Sequence, residues 1–271
     1  MFKRTIVFLF VLFTAFSACT RKSNEVDNNR RVSNSRGSRD VYLGDALRLS
    51  GQVSIEKLSD DRTIFSYQNF SGNIIILDSD NEFGYFGGNG EIKNGRLNYS
   101  IGVPAYLRNL DERYFNDLEV IFGWNYTDFY ASNHVRGLIL EKLPVDSDEY
   151  YGLFNENYTR NVHNDSFSNS TEIVCYVYVE SDVTVSARGN SNTRPRTKRN
   201  TDGTLSEIGT NTVNTRNFNL VLQAGWNAIY VKQESSGTFS GPYNDAISMN
   251  YTVTETISQN NPSLRWVLWE L

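Results

Sequence analysis

The stretch ALRLSGQVSIEKL, Ala46 to Leu58, alternates with unusual regularity. Leu47, Leu49, Val53 and Ile55 fall on one side, and Arg48, Ser50, Gln52, Ser54 and Glu56 fall on the other. Successive side chains of an extended chain point to opposite faces, so this pattern predicts a half-buried β-strand. NIIILDSD (from Asn73) and RLNYSIG (from Arg96) continue it, with Gly, Asn and Asp between them as turn chemistry. The same period of two returns at Val183, Val185 and Ala187, at Phe218, Leu220 and Leu222, and at Ile247, Met249, Tyr251 and Val253. GWNAIYVKQ, from Gly225, adds another strand, and a further one is expected at about 135–143. SLRWVLWEL, from Ser263, is apolar on both faces and predicts a central strand.

Short strands with turn signals at close spacing predict a mostly β chain built as an antiparallel β-sandwich, in two sandwich units. An N-terminal β-rich domain is expected over 41–145 and a C-terminal β-sandwich over 171–271. The polar, Asn-rich segment 146–170 reads as a loop or linker between them. One short helix is expected near 104–118, because Pro104 is tolerated in a first helical turn and Leu107 and Leu110 stand three apart.

The N-terminus has another character. Lys3 and Arg4 precede an unbroken apolar run, Ile6 to Phe13, and small residues follow up to Ala18. That order is the layout of a secretory signal peptide, and the run is too short to span a membrane. In FSAC, small Ser17 and Ala18 stand directly before Cys19, which resembles the lipobox of bacterial lipoproteins, with Phe16 where leucine is usual. The resemblance implies cleavage after residue 18 and lipidation of Cys19 with acyl chains such as palmitate. Two or three chains hold a protein durably in a bilayer, at about 0.8 kcal/mol per buried methylene. By the same analogy, Thr20 rather than aspartate after the anchor implies the outer membrane. Residues 19–40 carry six Lys/Arg against three acids and almost nothing apolar, the composition of a lipidated, flexible tether.

Loss of residues 1–18 would take the formal charge from -5 to -7, which argues against nucleic acid as a partner. Cys175 would then be the sole thiol. In EIVCYVYVE it shares a strand face with Ile173, Val177 and Val179, so a packed core thiol is expected rather than a nucleophile. GEIKNGRLNYSIGVPAYL (from Gly90), LQAGWNAIYVK (from Leu222) and NPSLRWVL (from Asn261) resemble uncharacterised lipoproteins of spirochaetes. That resemblance implies location and β fold and carries no activity.

Four stretches could carry chemistry. ARGNSNTRPRTKR, from Ala187, holds five cations and no acid, and reads as a hairpin tip that is either a solvated loop or an anion-recognising tip with Arg194, Arg196, Lys198 and Arg199 as its contacts. FGWNYTDFY, from Phe122, offers Trp124 and Tyr126 as aromatic ligand contacts if exposed and as core if buried, and Trp226 in GWNAIY has the same two readings. DSDNEFG, with acids at Asp78, Asp80 and Glu82, has oxygen ligands for a weak calcium site but Phe83 where an EF-hand loop needs glycine. Glu141, Asp146, Glu149, Asp111 and Glu112 could supply a glycosidase acid pair. No GxSxG, HExxH, phosphate loop or paired zinc ligands occur in the sequence.

The expectation is a lipid-anchored envelope protein with a non-enzymatic binding or adhesion ectodomain. Its partners would be the membrane and an anionic glycan or acidic protein surface, and no cofactor or nucleic acid is expected. The alternative is a carbohydrate-active enzyme or glycan-binding protein using an aromatic cleft.

Overall fold

The computed structural model describes residues 41–270 apart from 59–64, 81–83, 111–126, 164, 201–202 and 241–247. Cys19, Trp124 and Tyr126 therefore lie outside the described residues, as do the tether and signal segments.

The N-terminal strands are β1 (Tyr42–Gly44), β2 (Leu47–Leu58), β3 (Phe65–Asn69), β4 (Ile74–Ile76), β5 (Ser79–Asp80), β6 (Gly84–Tyr85), β7 (Gly88–Lys93) and β8 (Arg96–Ile101). The middle of the chain gives β9 (Arg108–Asn109), β10 (Thr127–Ala131), β11 (Arg136–Leu140), β12 (Tyr150–Val162) and β13 (Ser166–Val179). The remainder gives β14 (Val183–Arg188), β15 (Ser191–Arg199), β16 (Leu205–Thr215), β17 (Phe218–Leu222), β18 (Gly225–Ser240), β19 (Ser248–Ser258) and β20 (Arg265–Glu270). The chain is mostly β, and no helix occurs among the described residues.

A fifteen-stranded sheet follows the path β15-β16-β19-β18-β13-β12-β20-β2-β8-β7-β4, with β1, β3, β9 and β11 pairing off it. Its pairs are antiparallel except β16 with β19 and β2 with β20. A separate three-stranded sheet has the order β10-β14-β17. Strand β13 explains how the layers meet, because both its faces are buried. Val174, Tyr176 and Tyr178 join the larger core with Leu47, Leu49, Ile101 and Trp226. Ile173, Cys175, Val177 and Val179 join a second core with Val183, Val185, Phe218 and Leu220 of the three-stranded sheet. Cys175 is thus a buried core thiol, and burial pushes its pKa up, away from the reactive thiolate form.

The alternation that opens β2 serves two ladders. Leu47 to Gln52 pair with β8, whereas Val53 to Glu56 pair with β20. The hand-over falls between Gln52 and Val53, next to Gly51, where a Cβ would meet the Trp266 ring at 2.6 Å, so glycine is what lets that indole close over the strand. β20 lies between β12 and β2, which is the central position expected from its two apolar faces.

Two expectations are corrected. Residues 104–110 of the expected 104–118 helix are irregular chain and the two-residue β9, and 111–118 lie outside the described residues. The amide of Ala105 bonds the Phe86 carbonyl and that of Leu110 bonds the Val135 carbonyl, so the backbone is satisfied by neighbours across the fold. Leu107 and Leu110 do not share a face: Leu107 packs on the larger core and Leu110 on the second. The 146–170 loop is instead the long strand β12 and the start of β13, paired from Glu156 with Ile173 to Val162 with Phe167. Asn, Ser and Thr make this hairpin look like a loop, but its strands are set by ladders on both sides rather than by apolar burial. The hydrogen-bonded sheet runs unbroken through the place where two units were expected to meet.

Candidate functional site

The basic stretch is a strand, not a tip. β15 forms a hairpin with β16 and stands at the end of the sheet path. The turn beyond it, 200–204, is closed by Asn200, whose side chain donates to Thr204 and Ser206. Along β15, Arg194, Arg196 and Lys198 recur every second residue, so the pleat sends them to one face. Arg194 is exposed, while Arg196 and Lys198 are half-buried. Pro195, with no N–H to give, suits a strand whose outer side is unpaired.

Arg196 is positioned by the neighbouring strands. It lies opposite Gly209 in the ladder, and the register skips a residue of β16 immediately beyond, between Arg196 and Thr197. Gly209 has φ +147, a conformation that favours glycine, and a Cβ there would strike the Met249 carbonyl. With no side chain at that place, the Arg196 guanidinium reaches across β16 to lie 5.5 Å from the Tyr251 ring centroid, in cation–π contact. Tyr251 in turn packs on Phe167, centroids 6.5 Å apart, beside Phe239 and Met249. Burial pushes the Tyr251 phenol above its usual value, and the Arg196 charge and a hydrogen bond with Asn211 draw it partly back. Residues 41–271 contain 18 Lys/Arg and 28 Asp/Glu, and five of those cations fall within 187–199. A local cationic strip therefore stands on an acidic body. Beside the strip an open concavity of about 390 Å³ is lined by Phe167 and Tyr251 together with Ser166, Thr210, Asn250 and Thr252.

The other polar cluster is buried. Glu156 on β12 is 2% exposed, and its Oε1 accepts a 2.7 Å hydrogen bond from the Trp269 indole N–H. Its Oε2 is buried without a partner, as is the Tyr67 hydroxyl. Glu56 on β2 stands opposite Trp269 on one side and Tyr67 on the other. The Arg265 guanidinium lies 5.1 Å from the Tyr67 ring centroid. Burial pushes Glu156 up to about 8, reinforced by the negative charge of Glu56 and opposed by the Trp269 bond, and burial pushes Glu56 up to about 7. Both carboxyls therefore hold a proton to higher pH than an ordinary glutamate does. Glu156 lies inside the fold, whereas Glu56 is half-buried.

Neither Glu56 nor Glu156 stood out in the sequence. The acids that did are placed elsewhere: Glu141 is half-buried after β11, Asp146 and Glu149 are exposed before β12, and Asp111 and Glu112 lie outside the described residues. Of the calcium-loop stretch, 81–83 lie outside the described residues, and no group of three potential metal ligands occurs among the described ones. Asp78 is half-buried, with its Oδ1 unpartnered. Of the aromatic stretch, Phe129 packs on the second core and Tyr130 is exposed. Trp226 is fully buried, so of its two readings the core one holds.

Comparison of the chain with protein-family models, with curated proteins and with solved structures finds no match.

Proposed function

We propose that this is a lipid-anchored protein of the bacterial envelope, facing its partner with a β ectodomain that binds anionic polymer or an acidic protein surface without catalysis. The observation that carries the binding reading is the cationic strand β15, with Arg194, Arg196 and Lys198 on one face of a sheet end in an otherwise acidic body. Arginine's planar fork pairs two oxygens of a sulfate, carboxylate or phosphate, and the Arg196 guanidinium lies against the ring of Tyr251. The finer architecture belongs to the same proposal: sandwich packing, supported by the three-stranded β10-β14-β17 sheet sharing a core with one face of β13 and β18. The anchor reading rests on the run that ends at Cys19.

The two halves of the proposal are tested separately. Cys19→Ser should move the protein from the membrane fraction to the soluble fraction, and retention of the variant in membranes as for the parent would refute the anchor. For the binding half, the full chain in detergent is titrated with dextran sulfate, polyglutamate and neutral dextran. We expect the two anionic polymers to bind and neutral dextran not to. Joint replacement of Arg194, Arg196, Lys198 and Arg199 by alanine should weaken binding by about tenfold or more, as should raising salt until the Debye length falls to about 3 Å. Equal binding by parent and variant, or binding indifferent to salt, removes β15 from consideration.

A further inference from the structure

We propose that the polar recess at the root of β15 is a sugar subsite, which makes the anionic polymer an acidic polysaccharide. Its hydroxyls are held in the recess while its charged groups lie along the strand, so the proposal rests on the reading of β15 as the anion-binding strand. The recess measures about 510 Å³, within the range of small-molecule sites, and is formed by residues of β10, the end of β14 and the β15–β16 hairpin. Thr127, Asp128, Arg188, Asn190, Ser191 and Asn214 line it, and every lining side chain is polar or charged, glycine apart. The chain passes directly from the recess into the cationic strip, since Ser191 opens β15 and Arg194 follows three residues on.

Local chemistry pre-sets this lining. Thr127 pairs with Arg188 and Tyr130 with Ser186, so β10 carries one extra residue between these pairs. A bulge of this kind re-aims a side chain. Asp128 lies in it at φ +52, a left-handed conformation that is costly for a residue other than glycine. Its carboxylate stands 4.0 Å from the Arg188 guanidinium, and both side chains remain open to solvent. Where the chain leaves β14, the Gly189 amide donates to Asn217 Oδ1 and the Asn190 amide to Thr215 Oγ1, each at 2.8 Å. A Cβ on residue 189 would strike the Thr215 carbonyl, so glycine is what lets the chain approach β16 this closely.

The donors and acceptors suit hydroxyls. Asn190 Oδ1 accepts from the Ser191 amide at 2.7 Å, and Asn214 Oδ1 accepts from the Ser191 hydroxyl at 2.6 Å. With both carbonyl oxygens engaged, the two side-chain amides have their N–H2 groups to offer, alongside the forked donors of Arg188. The Asp128 carboxylate only accepts. A sugar hydroxyl both donates and accepts, so neighbouring hydroxyls on one ring can donate to Asp128 while accepting from Arg188 and the two asparagines. A carboxylate or sulfate in the same place would meet the Asp128 charge, which favours the anionic groups on β15 instead. An acidic polypeptide has no hydroxyls for Asp128, and the recess therefore selects polysaccharide among anionic polymers.

The test titrates the full chain in detergent with polygalacturonate, which carries free hydroxyls on every ring, and with polyglutamate of matched carboxylate content, which carries none. The parent should bind polygalacturonate about tenfold more tightly. Asp128→Gly suits φ +52 and removes one negative charge, so charge alone predicts tighter binding of both polymers. The sugar subsite requires the opposite for one of them: polygalacturonate binding weakens about tenfold, while polyglutamate binding is unchanged or tighter. Asn214→Ala should also weaken polygalacturonate selectively, by about threefold or more. A parent that binds the two polymers equally, or variants that shift both in step, overturns the subsite and leaves the anion-binding reading of β15 standing. A parent that binds neither overturns both. If Asp128→Gly fails to fold, Asn214→Ala and the parent's preference decide the matter in the same way.

Discussion

Trp226→Ala should cost the fold about 3–5 kcal/mol, the range for deleting a buried aromatic side chain. Trp226 has no exposed surface, and it stands on β18 in the larger core, edge-on to Tyr178 with centroids 5.5 Å apart. Its indole N–H donates a 2.8 Å hydrogen bond to the Gly102 carbonyl, tying the end of β8 to a strand more than a hundred residues later. Alanine would remove the ring contacts, open a cavity between the two ends of the fold and leave that carbonyl to water. Trp226→Phe separates these contributions, since it keeps most of the volume and loses only the donor, at about 1 kcal/mol. With a urea slope of about 2–3 kcal/mol per molar, the alanine midpoint should drop by about 1–2 M. An alanine midpoint indistinguishable from the parent's would mean that the larger core is not organised around this ring.

Gly209→Ala should be nearly as damaging, at about 2–4 kcal/mol, although it adds only a methyl group. The residue sits at φ +147, which side chains rarely adopt, and the added Cβ would strike the Met249 carbonyl of the adjoining strand. β16 would have to move away from β19 along the parallel pairs that begin at Asn211 with Tyr251. That movement carries β15 with it and withdraws Arg196 from the Tyr251 ring. The same substitution therefore has a second readout. It should weaken binding to dextran sulfate although every cation is retained, whereas Gly203→Ala, in the turn beyond β15 where a Cβ meets nothing, should leave binding unchanged. Thermal or urea unfolding measures the first effect, and titration with the polymer measures the second.

The parts of this fold that could be read from sequence are those where burial alternates. Leu97, Tyr99 and Ile101 are buried between exposed neighbours in β8, and Phe218, Leu220 and Leu222 repeat the pattern in β17. Cys175 and Trp266 belong to strands buried on both faces, and their continuous apolar runs said so. β12 was hidden because its outer half is Asn157, Tyr158, Thr159, Arg160 and Asn161, chosen for half-exposed positions in a ladder. Leu107 and Leu110 mimicked helix spacing because two cores, one on each side, each took one leucine. Of the site, the cations were legible as a cluster. Their anchoring by Tyr251 was not, since that ring stands on β19, two strands from β15 in the sheet and more than fifty residues on in sequence. Glu56 and Glu156 stand a hundred residues apart and are joined only through Trp269, a relation no local pattern encodes.

The position of β20 also governs the order of events during folding. Val53 and Trp266 are more than two hundred residues apart in sequence yet adjacent in the sheet. Contacts of such long range form late, since the loop they close must first be searched. Until β20 is available, the open edges of β2 and β12 are unpaired strand, a template for other chains. The central seam is thus the last surface of the folding chain to be covered, and a factor that binds the unfinished fold would find its best handle there.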